Sequence, residues 1–208
     1  MMRRLNMGSS TAKARTVSPP WRAPHANRPT SRNTLRQADT LGGVKVDVRR
    51  IPVTDSYALR GAVLRTHESF ANVPFPKDNE PDTAAFGAVD CSSGIIVSVA
   101  TVFREPAPFA LAEAGVPLGH RSGDATWRLI AMATLPAVQG QGIGFSVLEA
   151  IIDYVAAEQS DLLWCTARVP AIGFYERGGF RPWGSEWVMA NRGPHVYMWR
   201  TLESAHNT

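Results

Sequence analysis

Val138-Gln139-Gly140-Gln141-Gly142-Ile143-Gly144 is the stretch on which the reading of this chain turns. It follows an extended run, residues 129–136, and leads into apolar positions at helical spacing: Ile143, Val147, Leu148, Ile151 and Val155. A glycine-rich turn between a strand and a helix leaves backbone N–H groups without intrachain acceptors, and the helix dipole adds a partial positive charge. Such a turn seats a phosphate or pyrophosphate, and glycine lets the backbone come close to it. Spacing excludes two common forms. A dinucleotide turn needs Gly-x-Gly-x-x-Gly, but starting at Gly140 the sixth position is Phe145. A P-loop ends in Gly-Lys-Ser/Thr, and no lysine or threonine lies between Val138 and Leu148.

Gln139, Gly142 and Gly144 instead give Gln-x-x-Gly-x-Gly. Further on comes Ala171-Ile172-Gly173-Phe174-Tyr175-Glu176-Arg177-Gly178-Gly179-Phe180, preceded by the apolar run Leu162-Leu163-Trp164-Cys165. In these two stretches the chain resembles the GNAT superfamily of N-acetyltransferases. The superfamily's acyl-CoA pyrophosphate loop reads Arg/Gln-x-x-Gly-x-Gly/Ala, and its second block reads Ala-x-x-Phe-Tyr-x-x-x-Gly-Phe. Arg192-Gly193-Pro194-His195-Val196-Tyr197-Met198 also looks like the Gly-Pro-His ending of one bacterial branch. The resemblance extends over residues 44–201 and is specific over 126–180.

The resemblance implies an α/β fold: a mixed, mostly antiparallel sheet of six to seven strands with helices on both faces. It implies acetyl-CoA as co-substrate, held by Gln139, Gly140, Gln141, Gly142, Ile143 and Gly144. The strand carrying Met132, Ala133 and Thr134 would splay from its neighbour, pair with the pantetheine arm as an added strand does, and offer N–H groups to the thioester carbonyl. Tyr175 would donate a proton to the departing thiolate. Its phenol is protonated at neutral pH, with an ordinary pKa of about 10. Phe174 and Arg168 join the cofactor side. The family often has Asn at the position of Arg168, which puts an amide contact to pantetheine in question. Met132 and Leu135 also read as core, as does Phe174.

Composition bounds the rest. Residues 1–43 hold eight Lys/Arg against one acid, Asp39, a net of +7. The remaining residues hold fourteen Lys/Arg against seventeen Asp/Glu, a net of −3. The basic pI therefore belongs to the N-terminal segment, and nucleic-acid binding by the domain is not indicated. That segment is rich in Ser, Thr, Pro, Arg and Asn and too poor in large apolar residues to offset its chain entropy. It is expected to be a disordered extension with at most a transient helix over 34–38; a transit segment and a polyanion-binding arm are the other readings. The domain is expected over 44–208. No apolar core of signal-peptide length follows Arg3-Arg4, and no apolar run approaches ~18 residues, so no membrane span is expected. Cys91 and Cys165 make no disulfide framework and suggest a cytoplasmic, reducing setting. The five histidines show no ligand spacing, and no metal is expected.

Patterning predicts strands over 44–51, 84–89, 95–103, 126–135, 162–166, 186–189 and 195–201, and helices over 54–64, 142–157 and 171–177. Thr54 or Asp55 is the expected cap of the first helix. The resemblance implies that the loop over 66–83 forms one wall of the acceptor pocket, which would place Arg65, His67, Phe75, Pro76 and Asp78 near the substrate. A proton acceptor for the attacking ammonium could be Glu105, Asp124, Glu186 or His195. The expected reaction is acetyl transfer from acetyl-CoA to a primary amine by direct attack, with a small-molecule or peptide amine as partner and a homodimer possible. The alternatives are a non-catalytic acyl-CoA-binding regulatory domain and a protein lysine or N-terminal acetyltransferase.

Overall fold

A computed structural model of the protein describes residues 43–66, 73–116 and 126–202. The basic segment 1–42, the expected helix 34–38, His67 and Asp124 lie outside the described residues. Seven strands form one sheet: β1 (Val46–Ile51), β2 (Ala84–Asp90), β3 (Ile96–Arg104), β4 (Thr126–Thr134), β5 (Leu162–Arg168), β6 (Arg181–Met189) and β7 (Gly193–Thr201). Their order is β1-β2-β3-β4-β5-β7-β6, and every neighbouring pair is antiparallel except β4 with β5. A parallel pair needs a crossover. Helix α2 (Ile143–Ala157) supplies it, after a short 3-10 turn at Pro136–Val138.

α2 covers one face of the sheet. Val147, Leu148, Ile151 and Val155 are fully buried against alternate residues of β2 and β3, among them Ala84, Phe86, Ala88, Ala100 and Val102. Each fully buried aliphatic side chain of this kind contributes roughly 1.5–3 kcal/mol. The short helix α3 (Ile172–Arg177) joins the same layer through Tyr175. α1 (Tyr57–Leu64) covers the opposite face, with Leu59 against Val99 and Ala133. That second face continues over β5–β7 as an aromatic cluster of Phe109, Trp164, Trp183, Tyr197 and Trp199.

Most element ends lie within two residues of expectation, and three differences have a local cause. α1 is not capped by Thr54 or Asp55. A 3-10 turn over Val53–Ser56 feeds it, and no side chain caps the helix. β5 continues to Arg168, because its last residues pair with β7 as far as His195. β6 starts at Arg181 rather than Glu186. Pro182, Gly184 and Ser185 read as a break, but the register shift between Trp183 and Trp187, with Gly184 at φ 74°, absorbs them as a bulge.

Candidate active site

β4 and β5 pair only over Thr126–Leu129 and Leu162–Cys165, although β4 runs on to Thr134 and β5 to Arg168. Past Leu129 the two strands part. The register of β4 on β3 slips at the same place, and Ala131 takes a left-handed φ of 54°. A non-glycine residue there carries local strain, of order 1–3 kcal/mol, that the surrounding sheet must hold. The bulge turns the end of β4 and opens the parallel pair into a cleft of about 190 Å³. The cleft is lined by Leu129, Ile130, Ala131 and Met132 of β4 and by Thr166 and Arg168 of β5. Tyr175 lines it from the α3 side; Leu64, Arg65, Phe75, Met189, Arg192 and His195 line it as well.

The glycine turn stands beside the end of β4. Gly140 and Gly142 have φ of 75° and 79°, a region in which L side chains are strained, and a Cβ at Gly140 would meet open space. Their glycines are therefore conformational. Gly144 differs: a Cβ there would lie 2.8 Å from Thr134 Oγ1 and 3.5 Å from Met132 Cε, so its glycine lets α2 approach β4. The backbone amides of residues 140–145 meet no acceptor among the described residues, and the first bond from this turn into α2 runs from Ser146 N–H to the Gly142 carbonyl. Gln139 turns its amide back, donating to the Thr134 carbonyl at 2.9 Å, and Gln141 donates to the Ala137 carbonyl. Both glutamine side chains fasten the turn, and the unpaired backbone donors are what it presents outward.

Of the other residues singled out, Ala133 is buried under α1, and Thr134 Oγ1 shares a 2.8 Å hydrogen bond with Ser98 Oγ. Phe174 packs edge-on against Phe145 and Tyr175. Tyr175 is 7% exposed and lines the cleft. Burial, and to a lesser extent the neighbouring Cys165, hold its phenol well above the usual tyrosine range, so it keeps its proton. The buried Cys165 thiol is likewise pushed far up by burial, which Arg128 partly offsets. Arg168, expected on the cofactor side, lies directly across from His195 on β7, on the sheet face opposite Tyr175. His195 is 5% exposed, shares a 2.8 Å hydrogen bond between Nδ1 and the Gly193 carbonyl, and stacks on Trp187.

The four expected proton acceptors separate. His195 lines the cleft. Glu105 accepts a 2.8 Å hydrogen bond from Arg128 and is engaged as its ion-pair partner. Glu186 is exposed on the β6 bulge. Of the expected acceptor wall, Arg65 and Phe75 line the cleft, whereas Pro76 is exposed outside its lining. Asp78 is not part of the cleft lining. It is 6% exposed and ion-paired at 2.7 Å with Arg60, itself completely buried. Arg60 went unnoticed in the sequence because an arginine on an amphipathic helix reads as solvated. Only the paired acid eighteen residues on, in a proline-broken loop, hinted at it. Among the described residues no helix is long and apolar enough to cross a membrane, and no cluster of His, Cys, Asp and Glu could hold a metal ion.

A protein-family model described as an acetyltransferase (GNAT) domain matches residues 105–182. An uncharacterised N-acetyltransferase of Bacillus subtilis (strain 168), YitI, is 26% identical over 160 residues, covering 77% of this chain and 99% of the relative. The ribosomal-protein-S18-alanine N-acetyltransferase of Escherichia coli superposes with a TM-score of 0.56 at 18% identity, covering 78% of this chain and 98% of that one. An aminoglycoside 6'-N-acetyltransferase complexed with coenzyme A gives a TM-score of 0.56 at 12% identity, covering 77% and 99%. At these identities the two structures speak to fold alone. In its motifs, in the family model and relative it matches and in its fold, the chain is similar to the GNAT-superfamily N-acetyltransferases.

Proposed function

We propose that the protein transfers an acetyl group from acetyl-CoA to a primary amine by direct attack, within a catalytic domain spanning residues 44–208. The observation that carries this is the meeting of two features at one end of β4. There a run of unpartnered amides at the start of α2 adjoins the gap between β4 and β5. The residues fit a CoA thioester. The amides of residues 140–145 would hold the pyrophosphate, and the strand edge freed at Met132, Ala133 and Thr134 would pair with the pantetheine arm.

Acetyl transfer forms a C–N bond and breaks a C–S bond. The attacking amine must be neutral, so one proton leaves the ammonium; His195 is the one expected acceptor among the described cleft residues. The departing sulfur gains a proton or a hydrogen bond, and Tyr175 stands protonated at the cleft to give it. Alternation places Thr166, Arg168 and His195 on the face shared with α1, and Met132 and Tyr175 on the α2 face. The donor would thus enter from one side of the sheet and the amine from the other. A reducing, cytoplasmic setting suits the two free cysteines.

Thermal denaturation with and without acetyl-CoA tests the reading on wild type, Gly142→Ala and Gly142→Glu. Both variants carry the left-handed strain, and only the second adds a carboxylate beside the unpartnered amides. Ligand at a hundred times Kd stabilises the native state by about 2.7 kcal/mol. Wild type and Gly142→Ala are expected to shift, and Gly142→Glu is not. Release of free CoA on adding amines then distinguishes an enzyme from a domain that only binds. No shift in folded wild type overturns the proposal.

A further inference from the structure

We infer that the acceptor is an amine that also carries an anionic oxygen group, a carboxylate or phosphate, and this rests on the acetyl-transfer reading above. Arg65, Arg128, Arg168 and Arg192 all line the cleft, and no Asp or Glu is found among its described lining residues. The arrangement is directional. Arg128 and Arg168 alternate with residues packed under α2 and α3, so they fall on the α1 face with His195, where the amine would enter. Tyr175 and the glycine turn belong to the opposite face, so the arginines are not explained by the pyrophosphate.

Arg128 is matched by Glu105, and Arg65 and Arg192 have contacts of their own. What decides the matter is the balance seen by an incoming ammonium. A site built for a purely cationic amine needs a carboxylate near it; the described lining holds none, and Arg168, across from His195, sets a guanidinium there instead. An anionic group on the same molecule reverses that balance, and guanidinium is the side chain whose fork of donors matches carboxylate or phosphate oxygens two at a time. Leu64, Ile130 and Met189 leave an apolar wall for the rest of the molecule, and the cleft volume suits a small one. A polyamine is the acceptor such a lining disfavours most.

Two matched pairs test this with the full chain and acetyl-CoA: methionine against methioninamide, and phosphoethanolamine against ethanolamine, with spermidine as the polycation. In at least one pair the anionic member should show kcat/KM tenfold or more above its neutral counterpart, and that pair identifies the anion. Spermidine should fall below both anionic members. Arg168→Gln should draw the ratio toward one. Equal or reversed preference in both pairs overturns the inference while leaving acetyl transfer intact. Binding supplies a readout independent of turnover. With CoA present, N-acetylmethionine should raise Tm more than N-acetylmethioninamide, or N-acetylphosphoethanolamine more than N-acetylethanolamine. Absence of both differences sinks the inference as well. Failure of acetyl transfer itself would show separately, as no Tm shift with acetyl-CoA and no CoA release with any amine.

Discussion

Tyr175 is under two opposed demands. Burial holds its phenol well above the ordinary value of about 10, which guarantees a proton at neutral pH but makes giving that proton to a thiolate of ordinary pKa near ~8.5 uphill. In the proposed reaction its contribution would be chiefly a hydrogen bond to the developing sulfur charge, with full transfer only as the C–S bond breaks. Tyr175→Phe should therefore lower kcat by about ten- to a hundredfold, the low end of what general acids supply, with KM for acetyl-CoA little changed. Steady-state kinetics checks this, and a kcat within twofold of wild type would remove Tyr175 from the chemistry. The same burial has a stability signature. A raised folded pKa means the native state keeps its proton after the unfolded chain has lost it. The stabilisation is complete below pH ~10 and declines above it, by at most ~1.4 kcal/mol per pH unit. Urea denaturation across pH 8–11 should show wild type losing stability above pH 10 faster than Tyr175→Phe, whose phenyl ring cannot ionise. Parallel curves would mean that Tyr175 is solvated after all.

At the scale of elements, the joint between β4 and α2 is set by one missing side chain. Gly144→Ala would gain about 1 kcal/mol of helix propensity and lose more by driving a Cβ to 2.8 Å from Thr134 Oγ1. Overpacking of this kind costs typically 1–3 kcal/mol, so a small net destabilisation is expected, with a weaker Tm response to acetyl-CoA because the turn is displaced. Thr134→Ala removes the obstructing oxygen at the expense of its hydrogen bond to Ser98. In a double-mutant cycle the pair should be less damaging than the sum by 0.5 kcal/mol or more. Strict additivity would show that the two atoms do not meet. This joint also marks how far the sequence could be read. Gln139, Gly142 and Gly144 announced a phosphate-binding turn, but glycine is a single letter for two causes. At Gly142 it permits a left-handed backbone, and at Gly144 it permits contact between elements. The β4–β5 opening was expected only by resemblance, since Ala131 gives no local sign of the bulge that produces it. β6 was half visible, its N-terminal half concealed by Pro182 and Gly184.

Across the whole molecule, the α1 side of the cleft is anchored through a buried ion pair that links three parts of the fold. Arg60 on α1 donates to Asp78 in the loop before β2 at 2.7 Å and to Thr101 Oγ1 on β3 at 2.5 Å. The same Asp78 oxygen accepts the Phe75 N–H at 2.8 Å, and the guanidiniums of Arg60 and Arg65 stand 5.2 and 4.9 Å from the centroid of the Phe75 ring. Phe75 and Arg65 then line the cleft. The pair is imperfectly satisfied, for among the described residues Arg60 Nε and Asp78 Oδ1 are buried without a hydrogen-bond partner. Such pairs seldom add much net stability, but removing one partner strands the other charge, at about 3–5 kcal/mol. Asp78→Asn should thus destabilise the protein severely, whereas Arg60→Met with Asp78→Leu should recover most of the loss. The double variant separates stability from function: a folded protein that no longer holds Phe75 by its N–H. Its KM for the amine should rise several-fold while the Tm shift with acetyl-CoA stays as in wild type, because the glycine turn lies on the other face of the sheet. Denaturation curves and steady-state kinetics on the same preparations decide it. An unchanged amine KM would reduce the Arg60–Asp78 pair to a fold element, and a lost acetyl-CoA response would show the two faces of the cleft to be coupled through β4.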